Sequence, residues 1–449
     1  MISVLQASAW YPPSHLGGTE VYLSGLVREL RVLGISSRII APFGPNEPDE
    51  YEFDGTKVRT FPINTYPSRA ELRGEIPDAE IERFRHLLAE EKVDIYHQHS
   101  WTRGLGAAHL SVAREAGFKT VLTVHTPNYL CLRGTMMRFG QDACDGRIDP
   151  RVCGACWSQG HGAPRFIARS LGALSPALSS AMGRLPMGRA ATAFSARARG
   201  ELRKQEVART MADADRIVAV CRWLFEALVS NGVPTEKLVL IRQGVDCEFV
   251  DQAIHAASGR AEASDGPFRL LYIGRWHPVK GVHVLVRAVS GIPPDIPVAL
   301  SVHGVGKGAE ELAYAAHIRS LTADDRRITI LPPLPRETLA RQLAEADALV
   351  VPSLWLETGP LVVLEAKAAG LPIIGSRLGG IAELVEEPRE GLLVPPGDVA
   401  AWTNAITAMA TTHARRPRTG PVKVRTMRDA ANEMAALYSA LCCADAHTL

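Results

Sequence analysis

Short apolar runs recur along the chain, separated by stretches whose apolar residues fall three and four apart. Ile2-Ser3-Val4-Leu5-Gln6-Ala7, Asp94-Ile95-Tyr96 and Lys119 to Val124 have the length and composition of buried strands, whereas Ile81 to Leu88 and Leu105 to Ala116 carry helical spacing. The rhythm restarts at Arg269 to Gly274 and repeats at Val298 to Val302, Ile328 to Leu331, Ala348 to Val351 and Pro372 to Gly375. Alternation of this kind predicts an α/β protein with two doubly wound parallel sheets. The junction falls near Arg242-Gln243-Gly244-Val245-Asp246, with a polar stretch from Gly259 to Asp265 just inside the second lobe. The expected division is residues 1–243 and 244–424, with a last helix at about 425–445 packing back on the first lobe.

Residues 161–208 break the rhythm. Arg165, Arg169, Arg184, Arg189, Arg197, Arg199, Arg203 and Lys204 lie here, and the first acid after Asp149 is Glu201. Ile167, Leu171, Leu174, Leu178, Met182 and Leu185 step by threes and fours, and Gly172 and Pro176 are expected to bend or divide the helix they describe. A basic helical insertion is implied, either packed on the first lobe with its charges in water or lying on a membrane surface.

Composition narrows the class. A chain of 449 residues is too long for one ordinary core, which supports two lobes. An apolar fraction of 46% and a charged fraction of 22% are ordinary for a globular protein, and no run approaches the ~20 apolar residues of a membrane span. A first strand with no basic leader ahead of it gives a cytoplasmic expectation. A net charge of +2 provides no dominant basic field, so no nucleic-acid partner is expected.

The candidate chemistry centres on Glu357-Thr358-Gly359-Pro360-Leu361-Val362-Val363-Leu364-Glu365, which follows the strand Ala348 to Val351 and the loop Pro352-Ser353-Leu354-Trp355. Pro360 suits the first helical turn, so Glu357 falls in the loop and Glu365 inside the helix. Free amides at a helix start attract an anion, and the carboxylates on either side can accept from vicinal hydroxyls. A second element, Gly274-Arg275-Trp276-His277-Pro278-Val279-Lys280-Gly281, closes the second lobe's first strand, where doubly wound sheets bind ligands. Arg275 and Lys280 could neutralise a diphosphate and the charge that grows on it as a glycosidic bond breaks, in place of a divalent metal.

Together these two elements resemble the signature of the family 4 retaining glycosyltransferases, also called glycosyl transferases group 1, which have the GT-B fold of two Rossmann-like domains facing a central cleft. E-x7-E is matched by Glu357 and Glu365, and G-R-x4-K-G by Arg275 and Lys280. Gly17-Gly18-Thr19-Glu20, Asp94 to His99, the strand-end His125, Gly379 to Glu383 and Gly391 to Asp398 are also similar to the family's, so the resemblance covers nearly the whole chain. It implies a nucleotide-diphosphate sugar donor and a sugar, lipid-linked or small-molecule acceptor. Glu365 then binds the donor ribose, Glu357 the hydroxyls of the transferred sugar, and Arg275 and Lys280 the diphosphate, with Thr358, Gly359 and Leu361 in the same donor site. The Gly17-Gly18 loop approaches the diphosphate from the other lobe on closure, and His125 faces the reacting sugar and the acceptor. The reaction implied is front-face displacement with retention, the departing diphosphate helping to take the acceptor's proton, with no cofactor for the chemistry. Gln243 and Cys221 depart from the family's usual Asn and small hydroxyl residue.

Asp213-Ala214-Asp215 offers a superficial metal motif, but it precedes the strand Arg216 to Val220 and reads as a helix-to-strand connection. Cys131, Cys144, Cys153 and Cys156 form C-x12-C-x8-C-x2-C in a loop-rich stretch. Thiols in a reducing cytosol suit a tetrahedral structural zinc or stay as idle thiols. Two other functions remain open on the same fold. They are a nucleotide-sugar epimerase and a catalytically silent sugar-nucleotide sensor.

Overall fold

The computed structural model describes residues 2–13, 17–43, 49–64, 66–72, 75–99, 101–102, 104–258, 266–412 and 423–443. The polar stretch Gly259 to Asp265 lies outside the described residues. The chain forms two units, Met1–Arg242 with Arg428–Leu449, and Gln243–Met427.

The first unit is built on strands β1 (Ser3–Ala7), β2 (Ser36–Phe43), β3 (Glu50–Phe53), β4 (Thr56–Pro62), β5 (Ile95–Gln98) and β6 (Lys119–Val124). After a hairpin of β7 (Met137–Arg138) and β8 (Asp142–Ala143) come β9 (Arg216–Ala219) and β10 (Leu238–Leu240). The main sheet has the order β10-β9-β6-β5-β1-β2-β4-β3 and is parallel apart from β3 against β4. The chain steps from β1 to one side and returns on the other through β5, so the strand order reverses between β1 and β5, the place where such sheets take ligands. Register is pinned there by Asp94, whose carboxylate accepts from both the amide and the hydroxyl of Ser3 at 2.7 Å. The helix Met427–Cys443 closes this unit, with Tyr438 buried and Arg428 paired to Glu29 at 2.9 Å.

The second unit holds β11 (Phe268–Arg275), β12 (Val298–Val305), β13 (Ile328–Leu331), β14 (Ala348–Val351), β15 (Ile373–Ser376) and β16 (Gly391–Val394). Their order is β13-β12-β11-β14-β15-β16, with every pair parallel and the reversal between β11 and β14. Both faces are covered. Leu270, Tyr272 and Val350 pack with Leu285, Val289, Trp402 and Ile406, whereas the alternate residues Leu271, Leu349 and Val351 pack with Leu343, Val363 and Leu364. Burial on two sides explains why these strands are continuous apolar runs rather than alternating ones.

The insertion forms the helices Arg165–Ala173, Pro176–Gly183, Arg189–Phe194 and Ala196–Asp213. The break comes at Leu174-Ser175, where Ser175 caps the next helix by accepting from the Leu178 amide and Pro176 takes its first position. Gly172 stays helical, and its missing Cβ leaves room for the Arg151 carbonyl of the helix Pro150–Gly160. The expected apolar stripe is not one buried face: Leu171 is buried, but Ile167, Leu178 and Leu185 are exposed, since the chain turns between the two helices. Asp213 and Asp215 lie in a helix-to-strand connection, Asp213 accepting from Ser111 and Asp215 from the Thr120 amide at 2.8 Å.

Candidate active site

The two signature loops meet at the reversal in the second sheet. The loop after β11 turns at Gly281, whose φ of +71° is left-handed and whose missing Cβ leaves room for the Pro352 carbonyl of the loop after β14. The Leu354 amide donates to the Val279 carbonyl at 2.7 Å, which ties the loops together. Lys280 Nζ thereby reaches Glu357 Oε1 at 2.6 Å, and Ser353 Oγ donates to the same oxygen at 2.7 Å. Glu357 is buried, and a carboxylate taken out of water is stable only when paired and hydrogen-bonded. These bonds orient the carboxylate. Lys280 also lies 5.2 Å above the Trp355 ring.

The helix Leu361–Ala368 starts one residue later than expected, with Pro360 as its N-cap rather than in its first turn. Glu365 is buried in this helix and ion-paired to Arg336, whose guanidinium lies 4.9 Å over the Phe249 ring. Glu357, Thr358 and Gly359 therefore precede the helix, Leu361 begins it, and Glu365 lies within it. A further brace comes from Gly379 and Gly380, where any Cβ would collide with the Glu357 backbone, and the Gly380 amide donates to the Glu357 carbonyl at 2.6 Å. Arg275 ends β11 with its side chain exposed; burial lowers the pKa of His277 and the Gly308 amide that of Glu311, and the Arg275 charge adds to both. Arg336 and Ser353 were not singled out from sequence. Ser353 stands four residues before Glu357, a spacing that could have drawn attention to it.

In the first unit, Gly17 and Gly18 open the helix Gly18–Val32, and the Glu20 carboxylate accepts from the Gly17 amide at 2.8 Å. His125 ends β6 and is buried, which pushes its pKa down to about 3. Its Nε2 is 3.1 Å from His99 Nδ1, and its ring packs edge-on to Tyr22 at 4.9 Å. His97 and His99 are also buried and held neutral by desolvation, with their mutual repulsion and that of His125 adding to it.

Cys131, Cys144, Cys153 and Cys156 are free thiols that line one cavity of about 600 Å³ together with Arg133, Arg147 and Lys204. Cys153 and Cys156 stand a turn apart on the helix Pro150–Gly160, and Cys144 follows the β7–β8 hairpin directly. The Phe139 amide donates to Cys156 Sγ at 3.1 Å. Burial pushes the Cys153 thiol up to about 12. Among the described residues, no three His, Cys, Asp or Glu side chains are gathered so that they could hold a metal ion.

Two doubly wound parallel-sheet units with candidate residues just beyond their strand ends are the GT-B architecture. The chain matches the family described as Glycosyltransferase Family 4 over residues 16–249 and that described as Glycosyl transferases group 1 over residues 267–412. It belongs to glycosyltransferase family 4. It is 25% identical over 409 residues to a D-inositol 3-phosphate glycosyltransferase of Pseudarthrobacter chlorophenolicus, covering 88% of this chain and 82% of that one. Its fold is like that of sucrose-phosphate synthase from Thermosynechococcus elongatus, with a TM-score of 0.66 and 22% identity over 99% of this chain and 100% of that one. It is also like that of HepE from Anabaena in complex with UDP, with a TM-score of 0.57 and 15% identity over 100% and 99% of the two chains.

Proposed function

We propose that this glycosyltransferase moves a sugar from a nucleoside-diphosphate sugar to a hydroxyl acceptor with retention of configuration, in polysaccharide, glycolipid or glycoconjugate synthesis. The observation that carries the reading is the Lys280–Glu357 pair, which sets a cation and an oriented carboxylate side by side just before a helix start. Glu357 accepts from hydroxyls of the transferred sugar and Glu365 from the donor ribose. Arg275 and Lys280, with the amides of Thr358, Gly359 and Leu361, receive the diphosphate. The bond from the anomeric carbon to the diphosphate oxygen breaks with its electron pair going to that oxygen. The acceptor oxygen bonds to the same face of the carbon, and its proton passes to the departing diphosphate. Two fixed cations stabilise the growing charge without a divalent metal. His125 serves the reacting sugar and acceptor, and Gly17-Gly18 the diphosphate. The relative's acceptor is named as D-inositol 3-phosphate, which makes a small hydroxylated acceptor one arm of the test. Incubation with a panel of nucleotide sugars, with and without acceptors, should release nucleoside diphosphate in step with acceptor consumption. Interconversion of the donor sugar without release would make the protein an epimerase, and binding without turnover a sensor.

We also propose that the insertion rests on an anionic membrane surface on the cytoplasmic side, which favours a lipid-linked acceptor. Phe166, Ile167, Leu178, Leu185 and Met187 are exposed among exposed Arg165, Arg169, Arg184 and Arg189, the pairing of apolar and basic residues that interfacial helices use. No described helix is long and apolar enough to cross a membrane. The protein should sediment with vesicles containing anionic phospholipid and not with neutral ones, and Phe166→Ser with Ile167→Ser should abolish this. Equal binding to both vesicle types, or full binding by the variant, rules the contact out.

The four clustered cysteines, finally, are proposed to take one structural zinc. Four thiolates are a donor set for tetrahedral zinc, and the helix-borne pair with the hairpin-borne Cys144 supplies them from two folded elements. The thiols line one cavity without meeting at a point, so zinc would have to draw them together.

A further inference from the structure

A chain of hydrogen bonds runs through the first unit from the last helix to His125, and its donors and acceptors are set together, each by the next. Gln6 in β1 pairs in register with His97 in β5, and both side chains are completely buried. Gln6 Nε2 lies 3.4 Å from Ser37 Oγ and 3.4 Å from Tyr438 Oη, and Gln6 Oε1 lies 2.8 Å from His99 Nε2. An amide oxygen only accepts, so His99 must carry its hydrogen on Nε2. A neutral imidazole has one N–H, so His99 Nδ1 is an acceptor, and His125 Nε2, 3.1 Å away, must be the donor to it. Tyr438 Oη, receiving from Gln6, turns its own hydrogen toward His97 Nδ1 at 2.5 Å, which leaves His97 Nε2 to donate to Thr123 Oγ1 at 2.7 Å. Reversing the Gln6 amide would reverse every donor in the chain, because the hydroxyls of Ser37, Tyr438 and Thr123 can serve either way.

We infer that Gln6, His99 and Tyr438 are positioning residues that hold His125 in the tautomer protonated on Nε2 and unprotonated on Nδ1. Tyr438 sits in the helix Met427–Cys443, more than three hundred residues from His97 and His125 in sequence. The last helix therefore sets the chemistry of a strand-end histidine as well as covering the sheet. Its functional consequence rests on the role proposed above for His125: in this tautomer Nδ1 is an acceptor and not a donor.

Long-range proton–nitrogen NMR on protein labelled at histidine nitrogens reads the three tautomers, with His97→Gln, His99→Gln and His125→Gln giving the assignments. His97, His99 and His125 should each be protonated on Nε2. Gln6→Met should mix the tautomers of His99 and His125, and Tyr438→Phe should release His97. With the nucleotide sugar that turns over, Gln6→Met should lower kcat by about two- to tenfold and leave the KM for donor unchanged. Protonation on Nδ1 at any of the three rings, or tautomers indifferent to Gln6→Met, overturns the inference whatever the activity. Tautomers that mix while kcat stays put uphold the coupling and remove His125 from the transfer step.

Discussion

Lys280 Nζ and Glu357 Oε1 stand 2.6 Å apart although they come from loops after different strands, β11 and β14, on either side of the strand-order reversal. Each residue holds the other in place, and Ser353 fixes the carboxylate from a third direction. The ion pair is thus a structural link between the two signature loops as well as a pair of candidate ligand groups. Glu365 belongs to a separate pair with Arg336.

This separation predicts different kinetic defects at the two glutamates. Glu365→Ala should weaken donor binding by about 10- to 100-fold, the loss of one hydrogen bond to a charged group, with a modest fall in kcat. Glu357→Ala should lower kcat by about a hundredfold and change donor affinity less. Calorimetric donor titration beside steady-state kinetics separates the two, and near-normal turnover in both variants would refute the assignment.

Arg275→Ala and Lys280→Ala should each reduce kcat by about 10²- to 10³-fold, because a positioned charge at a developing anion contributes several kcal/mol. Withholding magnesium from the assay should leave wild-type turnover unchanged. A strict magnesium requirement, or a mild effect of both substitutions, would count against the cations as the diphosphate's partners.

Untagged protein purified without chelator should contain about one zinc per chain by elemental analysis. Cys153→Ser should lose the metal and weaken acceptor affinity while donor binding persists, since the cysteine loop follows closely on His125. A metal-free, fully active preparation removes the zinc.

Both parallel sheets and both signature loops were legible because buried parallel strands are uninterrupted apolar runs and because Gly281, Gly379 and Gly380 occur where backbones approach closely. The partners of the signature residues were not. Arg336 meets Glu365 and Phe249 only through packing between distant segments, and Tyr438 reaches Gln6 from the far end of the chain, contacts that no local period announces. In the insertion the apolar spacing and Pro176 announce a divided helix, and Ser175-Pro176 starts the second one, but the spacing does not show which apolar residues stay exposed. His97 and His99 could not be assigned roles from sequence, since their tautomers depend on neighbours in β1, at the end of β6 and in the last helix.

Acid should destabilise the first unit early. His109 and His125 have pKa values pushed down by burial to about 4 and about 3, and His97 and His99 are lowered for the same reason. The unfolded chain takes up protons near pH 6.5 that the folded one refuses, so stability is full above that pH and lost below it, toward the folded-state values. Each such histidine adds a slope of about 1.4 kcal/mol per pH unit in that window. Denaturant unfolding between pH 7.5 and 5 should show the decline, with a shallower slope in His109→Gln. A flat profile would mean that these rings are protonated in the folded protein.

The configuration of the product bears most directly on the central claim. Proton NMR of the isolated product, made with the nucleotide sugar that releases nucleoside diphosphate, gives the anomeric coupling of the newly formed bond. The product should have the same anomeric configuration as the donor, as displacement on one face with the diphosphate as proton acceptor requires. An inverted product would contradict that chemistry and the roles drawn from it for Glu357, Arg275 and Lys280.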